Sequence, residues 1–178
     1  MSKKVLIVSA SPRRGGNSDL LCDAFARGAQ EAGHRVEKIF FRDQNINYCL
    51  GCEACYNTKK CIQKDDMDEV LDKMVGADVL VFGTPVYFYT LDAQLKTLID
   101  RTVPRYTELK GKAYLIAALA DEDRDSIAGT VAAFRGFMDC LDQVEEAGII
   151  VGYGAWKKGD ITGNPAVDEA YRAGKKLE

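Results

Sequence analysis

The sequence predicts an α/β fold, a doubly wound five-stranded parallel sheet with helices on both faces. Two observations lead to this fold class. Short, almost continuously apolar runs alternate along the chain with longer segments in which apolar residues recur at helical spacing. In addition, 178 residues of which 47% are hydrophobic suit a single domain over residues 1–178 with its own core. We expect the strand order 2-1-3-4-5 and a ligand beyond the carboxyl ends of strands 1, 3 and 4.

Five apolar runs are the candidate strands, because near-continuous hydrophobicity suits parallel strands that are buried on both faces. They occupy residues 5–8, 36–41, 79–82, 114–119 and 148–151, and the pattern is weakest at 36–41. No repeat, linker or low-complexity tract interrupts this alternation.

Five helices are predicted between and after these strands. The first places six small or apolar residues on one face: Leu21, Ala24, Phe25, Gly28, Ala29 and Ala32. Similar spacing predicts helices around residues 67–75, 91–102, 127–141 and 166–177. Gly33 provides a stop for the first helix, and Asp65 or Asp66 can cap the second. Cys22 and Cys140 both lie in helical patterns, where a small buried hydrophobe is the default role.

Charge and hydropathy narrow the possible partners. A net charge of −3 leaves no basic stripe for nucleic acid or an anionic membrane. The N-terminal apolar run is far too short for a secretory signal, and no run approaches the roughly 20 apolar residues of a membrane span. We therefore expect a cytoplasmic protein that binds small molecules.

The loop after the first strand, SASPRRGGNS at residues 9–18, has the features of a phosphate-binding loop. Glycines allow backbone amides to face a ligand, a helix start supplies free N–H groups, and hydroxyls and arginine add charge-assisted hydrogen bonds. The loop lacks the patterns GxxxxGK[ST] and GxGxxG, which argues against an NTPase and against a Rossmann dinucleotide site. A simple tight turn with Ser18 as the helix cap is the alternative. We call residues 9–18 the phosphate loop.

The loop after the third strand, GTPVYFYT at residues 83–90, is aromatic and stiffened by proline. Such a ledge at the carboxyl edge of a sheet offers a flat apolar surface to a planar ring. The alternative is that these aromatic side chains pack a helix start or a subunit contact. A phosphate site beside a site for a planar ring describes a mononucleotide, and FMN is the expected occupant in this fold. We call residues 83–90 the aromatic loop.

These motifs resemble those of the flavodoxin-like NAD(P)H-dependent FMN reductases. SASPRRGGNS is similar to their phosphate loop, GTPVYFYTLDAQLKTLIDR to their flavin loop and following helix, and GYGAWKKGDI to their C-terminal segment. The resemblance implies that Ser11, Arg13, Asn17 and Ser18 hold the FMN phosphate. The full set of expected FMN-binding residues is Ser9, Ser11, Pro12, Arg13, Gly16, Asn17, Ser18, Pro85, Val86, Tyr87 and Phe88. One loop departs from the family: residues 120–125, ADEDRD, carry four acids and no glycine.

Four of the six cysteines form the run C-x₂-C-x₂-C-x₅-C at Cys49, Cys52, Cys55 and Cys61, inside a loop at residues 45–64. We call residues 45–64 the cysteine-rich segment. This run, followed by the acidic DDM at 65–67, resembles iron–sulfur flavoproteins of the same superfamily, which implies an iron–sulfur cluster of the [4Fe-4S] type. Zinc fits less well, because Cys₄ zinc sites usually consist of two CxxC pairs with a longer spacer. A packing or thiol-redox role without metal is the alternative.

The expected function is therefore that of an FMN-dependent oxidoreductase that uses NAD(P)H as co-substrate. The flavin carries out the chemistry, so no side chain is required as a catalytic acid or base. The electron acceptor is expected to be a small molecule or a redox protein, and the protein a homodimer or homotetramer. An iron–sulfur flavoprotein that carries electrons between protein partners without significant NAD(P)H turnover is the competing function, and a flavin-binding redox sensor is a third.

Overall fold

Six strands and six α-helices make up the computed structural model, which describes residues 1–178. The strands are β1 (Lys4–Ser9), β2 (Arg35–Phe40), β3 (Val79–Tyr87), β4 (Thr90–Leu91), β5 (Lys110–Ala118) and β6 (Gln143–Gly152). The helices are α1 (Asn17–Glu31), α2 (Ala54–Thr58), α3 (Met67–Val75), α4 (Ala93–Arg101), α5 (Ala128–Met138) and α6 (Pro165–Lys175). The predicted alternation of strands and helices is thus confirmed, with longer strands β3, β5 and β6.

The sheet has the order β2-β1-β3-β5-β6, and all four pairings along it are parallel. Its numbering differs from the predicted 2-1-3-4-5 because a sixth strand is present. This strand, β4, has two residues and pairs antiparallel with the end of β3. The aromatic loop therefore forms a short hairpin, which a search for long apolar runs does not detect.

Two cores cover the two faces of the sheet. One contains buried residues of α3, α4 and α5, and the other contains buried residues of α1 and α6. Helices α1 and α6 approach each other closely because each contributes a glycine. A Cβ on Gly28 would lie 2.1 Å from the carbonyl oxygen of Tyr171, and one on Gly174 would lie 2.1 Å from that of Phe25. No helix of this fold is both long enough and apolar enough to cross a membrane.

Two local expectations need correction. Cys22 is buried as predicted, but Cys140 is exposed. Helix α5 ends at Met138, so the helical pattern does not extend to Cys140. The cysteine-rich segment, expected as a loop, contains the five-residue helix α2, none of whose residues is buried.

Candidate functional site

A cavity of about 1100 Å³ opens at the carboxyl edge of the sheet. The loops that follow β1, β3, β5 and β6 surround it, because parallel strands end at the same edge. Its walls include every expected FMN-binding residue except Ser9 and Pro12. Ser9 is fully buried, and the carbonyl oxygen of Pro12 accepts a hydrogen bond from Arg42 at 2.9 Å.

The phosphate loop is held from below by a buried carboxylate, Asp19. Its two oxygens accept from the hydroxyl of Ser9 at 2.6 Å and from the amide of Gly15 at 2.7 Å. Lys38 of β2 lies 2.6 Å from the same carboxylate. Burial alone would raise the pKa of Asp19, but the hydrogen bonds from Lys38 and Ser9 outweigh it and lower the pKa. A charged Asp19 thus fixes the loop while Lys38 neutralises it.

The start of α1 offers free donors to the cavity. The first helical hydrogen bond joins the amide of Leu20 to the carbonyl of Gly16. The amides of Asn17 and Ser18 come before this bond and therefore have no partner within the helix. The hydroxyl of Ser18 is buried and has no hydrogen-bond partner. A Cβ on Gly16 would lie 2.8 Å from both the carbonyl oxygen of Arg13 and the hydroxyl oxygen of Ser11, so only glycine fits there. These features suit an anion with several oxygens.

The side chain of Asn17 is occupied by contacts within the protein. Its amide nitrogen donates to the carbonyls of Ala155 at 3.0 Å and Lys157 at 2.9 Å. Its oxygen accepts from the amides of Gly159 at 3.0 Å and Ile161 at 3.4 Å. Asn17 therefore ties the phosphate loop to the loop after β6, and its backbone amide is the part available to a ligand.

The aromatic loop forms the opposite wall. Tyr87 pairs with Thr90, so Phe88 and Tyr89 make the two-residue turn of the hairpin, with φ angles of 50° and 62°. Positive φ at two bulky residues is unfavourable, because such turns normally carry Asn or Gly. Phe88 is nevertheless 99% exposed, so burial of its ring does not compensate for the cost of the positive φ angle. Strain of this kind is concentrated at functional sites.

Asp92 is a buried carboxyl group in the cavity wall that the sequence did not single out. It caps α4: one oxygen accepts from the amide of Leu95 at 3.0 Å and pairs with the hydroxyl of Thr84 at 3.1 Å. The other oxygen has no partner. Burial raises the pKa of Asp92 to about 7, although these two hydrogen bonds oppose the shift.

The loop after β6 also contributes to the cavity wall, with two lysines that were not expected at the site. Trp156, Lys157 and Lys158 line the cavity, and Trp156 is 77% exposed. A Cβ on Gly15 would lie 3.4 Å from Cε of Lys158, so this side chain lies over the phosphate loop. Lys157 and Lys158 follow the last strand, so they lie at the same edge of the sheet as the phosphate loop. This position in the sequence could have indicated a second source of positive charge at the site.

The loop of residues 120–125, which carries four acids, lies at the rim rather than in the main cavity. Ala120 is the last residue of this loop that contributes to the wall. Asp121 instead lines a neighbouring cavity of about 420 Å³, together with Phe88, Tyr89 and Trp156. The hydroxyl of Ser126 donates to Asp121, and this hydrogen bond lowers the pKa of Asp121.

The four cysteines of the run all line one small cavity of about 30 Å³ at the C-terminal end of α4. Cys49 and Cys52 are exposed, and Cys55 and Cys61 are half-buried. All four are free thiols, which is the donor type that iron–sulfur clusters use. However, no group of three or more His, Cys, Asp or Glu side chains is arranged to hold a metal ion. The donor set therefore fits a cluster by chemistry, but the four thiols are not spaced to form a metal site, and their shared cavity has room for about one water molecule.

Comparison with known proteins gives consistent matches. The family model described as NADPH-dependent FMN reductase matches residues 3–145. An iron-sulfur flavoprotein of Methanosarcina thermophila is 30% identical over 93% of this chain and 85% of its own length. Another, of Archaeoglobus fulgidus, is 38% identical over 61% of this chain but only 50% of its own length. The chain thus spans about half the length of that relative.

Among solved structures, an NAD(P)H:quinone oxidoreductase from Methanothermobacter marburgensis superimposes with a TM-score of 0.79 at 22% identity. The superposition covers 100% of this chain and 97% of the other. At this identity the likeness establishes a shared fold.

Proposed function

The chain belongs to the NADPH-dependent FMN reductase family, and from this premise we propose that it is an FMN-dependent oxidoreductase that takes hydride from NAD(P)H. The observation that carries the proposal is the cavity at the carboxyl edge of the sheet. A loop with free amides and an unpartnered hydroxyl lies on one side of it, and an aromatic ledge lies on the other. This combination fits a phosphorylated ligand with a planar ring system.

In this proposal the phosphate is held by Ser11, Arg13 and Ser18, by the backbone amides of Asn17 and Ser18, and by Lys158. Pro85, Val86, Tyr87 and Phe88 contact the isoalloxazine ring. Ser9 acts indirectly, because its hydroxyl holds Asp19 under the loop. Asn17 fixes the loop after β6, so that Trp156 and Lys158 stay at the cavity.

Bound FMN supplies hydride and single-electron chemistry, and the protein supplies binding, orientation and electrostatics. The aromatic wall excludes water from one face of the ring. The exposed rings of Phe88, Tyr89 and Trp156 offer a flat surface to the nicotinamide and then to an acceptor. We propose a planar small molecule or a redox protein as acceptor and, because this surface is apolar, a homodimer or homotetramer.

Rapid mixing of the FMN-loaded protein with NADPH or NADH tests this function. We expect the flavin absorbance to bleach within the time of one catalytic turnover and to return when a quinone is added. The Phe88→Asp variant, which keeps the phosphate loop, should bind FMN more weakly and, when saturated with FMN, bleach more slowly. Bleaching that is slow with both nucleotides, in a protein that holds FMN, would contradict the reductase proposal.

The cysteine-rich segment favours a second candidate function, that of an iron–sulfur flavoprotein that carries electrons between protein partners. Its support is the shared cavity of the four thiols and the resemblance to relatives named for such a cluster. The test is anaerobic reconstitution with iron and sulfide, followed by measurement of iron per chain in the wild type and in Cys52→Ser. Protein that stays free of iron but reduces acceptors at the full rate would exclude this function.

A further inference from the structure

Arg101, the last residue of α4, is a buried arginine that the FMN site does not use. Its side chain is 1% exposed, and that of its partner Asp65 is 3% exposed. The two terminal nitrogens of the guanidinium, Nη1 and Nη2, donate to the two carboxylate oxygens of Asp65 at 2.7 and 2.9 Å. This is the bidentate geometry of a strong ion pair. A third hydrogen bond runs from Arg101 to the carbonyl of Asn47 at 2.6 Å.

These contacts join the two ends of the cysteine-rich segment. Asp65, just after the segment, also accepts from the amide of Asn47 at 3.2 Å. Next to it, Asp66 accepts from the amide of Asn45 at 2.6 Å and donates its own amide to the carbonyl of Asn45 at 3.1 Å. The ends of the segment are thus bonded to each other, and Arg101 fixes this junction to α4.

Little else holds the segment in place. Helix α2 buries no residue, and both residues that flank it, Glu53 and Lys59, have positive φ angles. The small cavity that the four cysteines share is completed by Arg101, Val103 and Pro104, at the end of α4 and just beyond it. The position of the thiols relative to the domain therefore depends on this junction and on Ile46, which packs against the core.

We propose that Arg101 is the positioning residue of the cysteine-rich segment: through Asp65 and Asn47 it gathers the four thiols at the end of α4. The other end of this helix lines the FMN cavity through Asp92, Ala93 and Lys96. Nine helical residues separate the two ends by about 13 Å, so one rigid element spaces the thiols from the flavin site. This role goes beyond the proposed function and requires neither FMN nor iron.

The variants are chosen so that the fold survives. Replacing Arg101 alone by Met would leave a buried, unpaired carboxylate, which is strongly destabilising. The double variant Arg101→Met with Asp65→Asn removes both charges, and Arg101→Lys keeps the charge but loses the bidentate fork. The control is Arg135→Met, because Arg135 makes the same bidentate contact with Glu146, at 2.8 and 2.9 Å, on an exposed surface.

The readouts are thiol modification of the reduced, metal-free protein and tryptic cleavage after Lys59, Lys60 and Lys64. Exposed Cys140 serves as the reference for a free thiol, and buried Cys22 reports opening of the whole domain. In the double variant we expect Cys55 and Cys61 to react about tenfold faster relative to Cys140, as for a local loss of about 1.4 kcal/mol.

Cleavage within the segment should rise in parallel, with a smaller effect in Arg101→Lys and none in Arg135→Met. The FMN dissociation constant should stay at its wild-type value, and Cys22 should still react far more slowly than Cys55 and Cys61. If the modification rates of Cys55 and Cys61 and the tryptic cleavage within the segment are the same in both Arg101 variants as in the wild type, the proposal is wrong. Cys55 and Cys61 that react no faster than Cys22 in the double variant would also overturn it, because the segment would then open only when the whole domain unfolds.

Discussion

Two buried carboxyl groups at the candidate FMN site have opposite protonation behaviour. Asp19 keeps its charge, because Lys38, Ser9 and the amide of Gly15 satisfy it and lower its pKa. Asp92 has one oxygen without a partner, and burial raises its pKa to about 7. The site therefore combines a fixed negative charge below the phosphate loop with a carboxyl group in its wall that titrates near neutral pH.

Arg13→Ala should weaken FMN binding by about one to two decades, because a charge-assisted hydrogen bond worth roughly 1.5–3 kcal/mol is lost. The neighbouring Arg14 is the matched control. It pairs with Asp43, stacks on Phe40 and does not line the cavity. Titration of both variants with FMN, followed by flavin fluorescence, measures the difference. An equal loss in Arg14→Ala would mean that general positive charge, rather than a contact of Arg13, holds the phosphate.

Asp92→Asn should change the pH dependence of stability. The folded pKa of Asp92 is raised to about 7, above that of the unfolded chain, so its stabilising contribution is present below about pH 4 and is lost as the pH rises towards 7. Asparagine keeps the helix cap and cannot ionise. The free energy of unfolding of Asp92→Asn, relative to that of the wild type, should therefore increase between pH 4 and pH 8, by at most about 4 kcal/mol. Urea unfolding of both proteins without FMN measures this gain, and a difference that does not vary with pH would contradict it.

The β3–β4 hairpin is the element in which local structure conflicts most with the residues that form it. Its turn carries Phe88 and Tyr89 at positive φ, and the start of α5 packs directly behind it. A Cβ on Gly129 of α5 would lie 2.4 Å from the carbonyl oxygen of Tyr89. The turn is thus supported from behind while its rings face solvent, as expected of a strained element kept for binding.

Replacement of Phe88-Tyr89 by Asn-Gly should stabilise the protein and impair its function. Asn-Gly is favoured in two-residue turns with two positive φ angles, so we expect the free energy of unfolding to rise by about 1 kcal/mol. The rate of flavin reduction by NADPH should fall, because the aromatic surface is removed. Thermal unfolding and rapid mixing test the two effects separately. A variant that is less stable, or one that reduces flavin as fast as the wild type, would show that the two rings are not kept at the cost of stability.

At the scale of the whole molecule, the sequence predicted what local patterns determine. Continuous apolar runs gave the parallel strands, and residues 11–18 and 85–88 stood out because they directly follow those strands. Lys38, Asp92 and Lys158 were not predicted, because each reaches the site only through tertiary packing. Likewise, Asp65 was noticed in DDM, and Arg101 ends the stretch compared with the family's flavin loop and helix; only the fold joins the two residues. A contact between residues 36 positions apart leaves no periodic signal in the chain.

The charge distribution could not be derived from composition either. The chain has a net charge of −3, yet the cavity at the carboxyl edge of the sheet collects Arg13, Lys96, Lys157 and Lys158 against a single acidic residue, Asp92. The acids of residues 121–125 stay outside that cavity. Net charge therefore argued against nucleic-acid binding but gave no indication of a local site for an anion.

We propose that the cavity binds FMN through its phosphate on the loop after β1 and its ring on the loop after β3. Parallel titrations of the protein without cofactor, one with FMN and one with riboflavin, test it most directly, because the two ligands share the ring and differ in the phosphate. We predict that FMN binds at micromolar concentration or below and that riboflavin binds at least about 100-fold more weakly, as expected when two or more charge-assisted hydrogen bonds are lost. Equal affinities for the two ligands, or no change in flavin fluorescence at micromolar FMN, would contradict this mode of FMN binding.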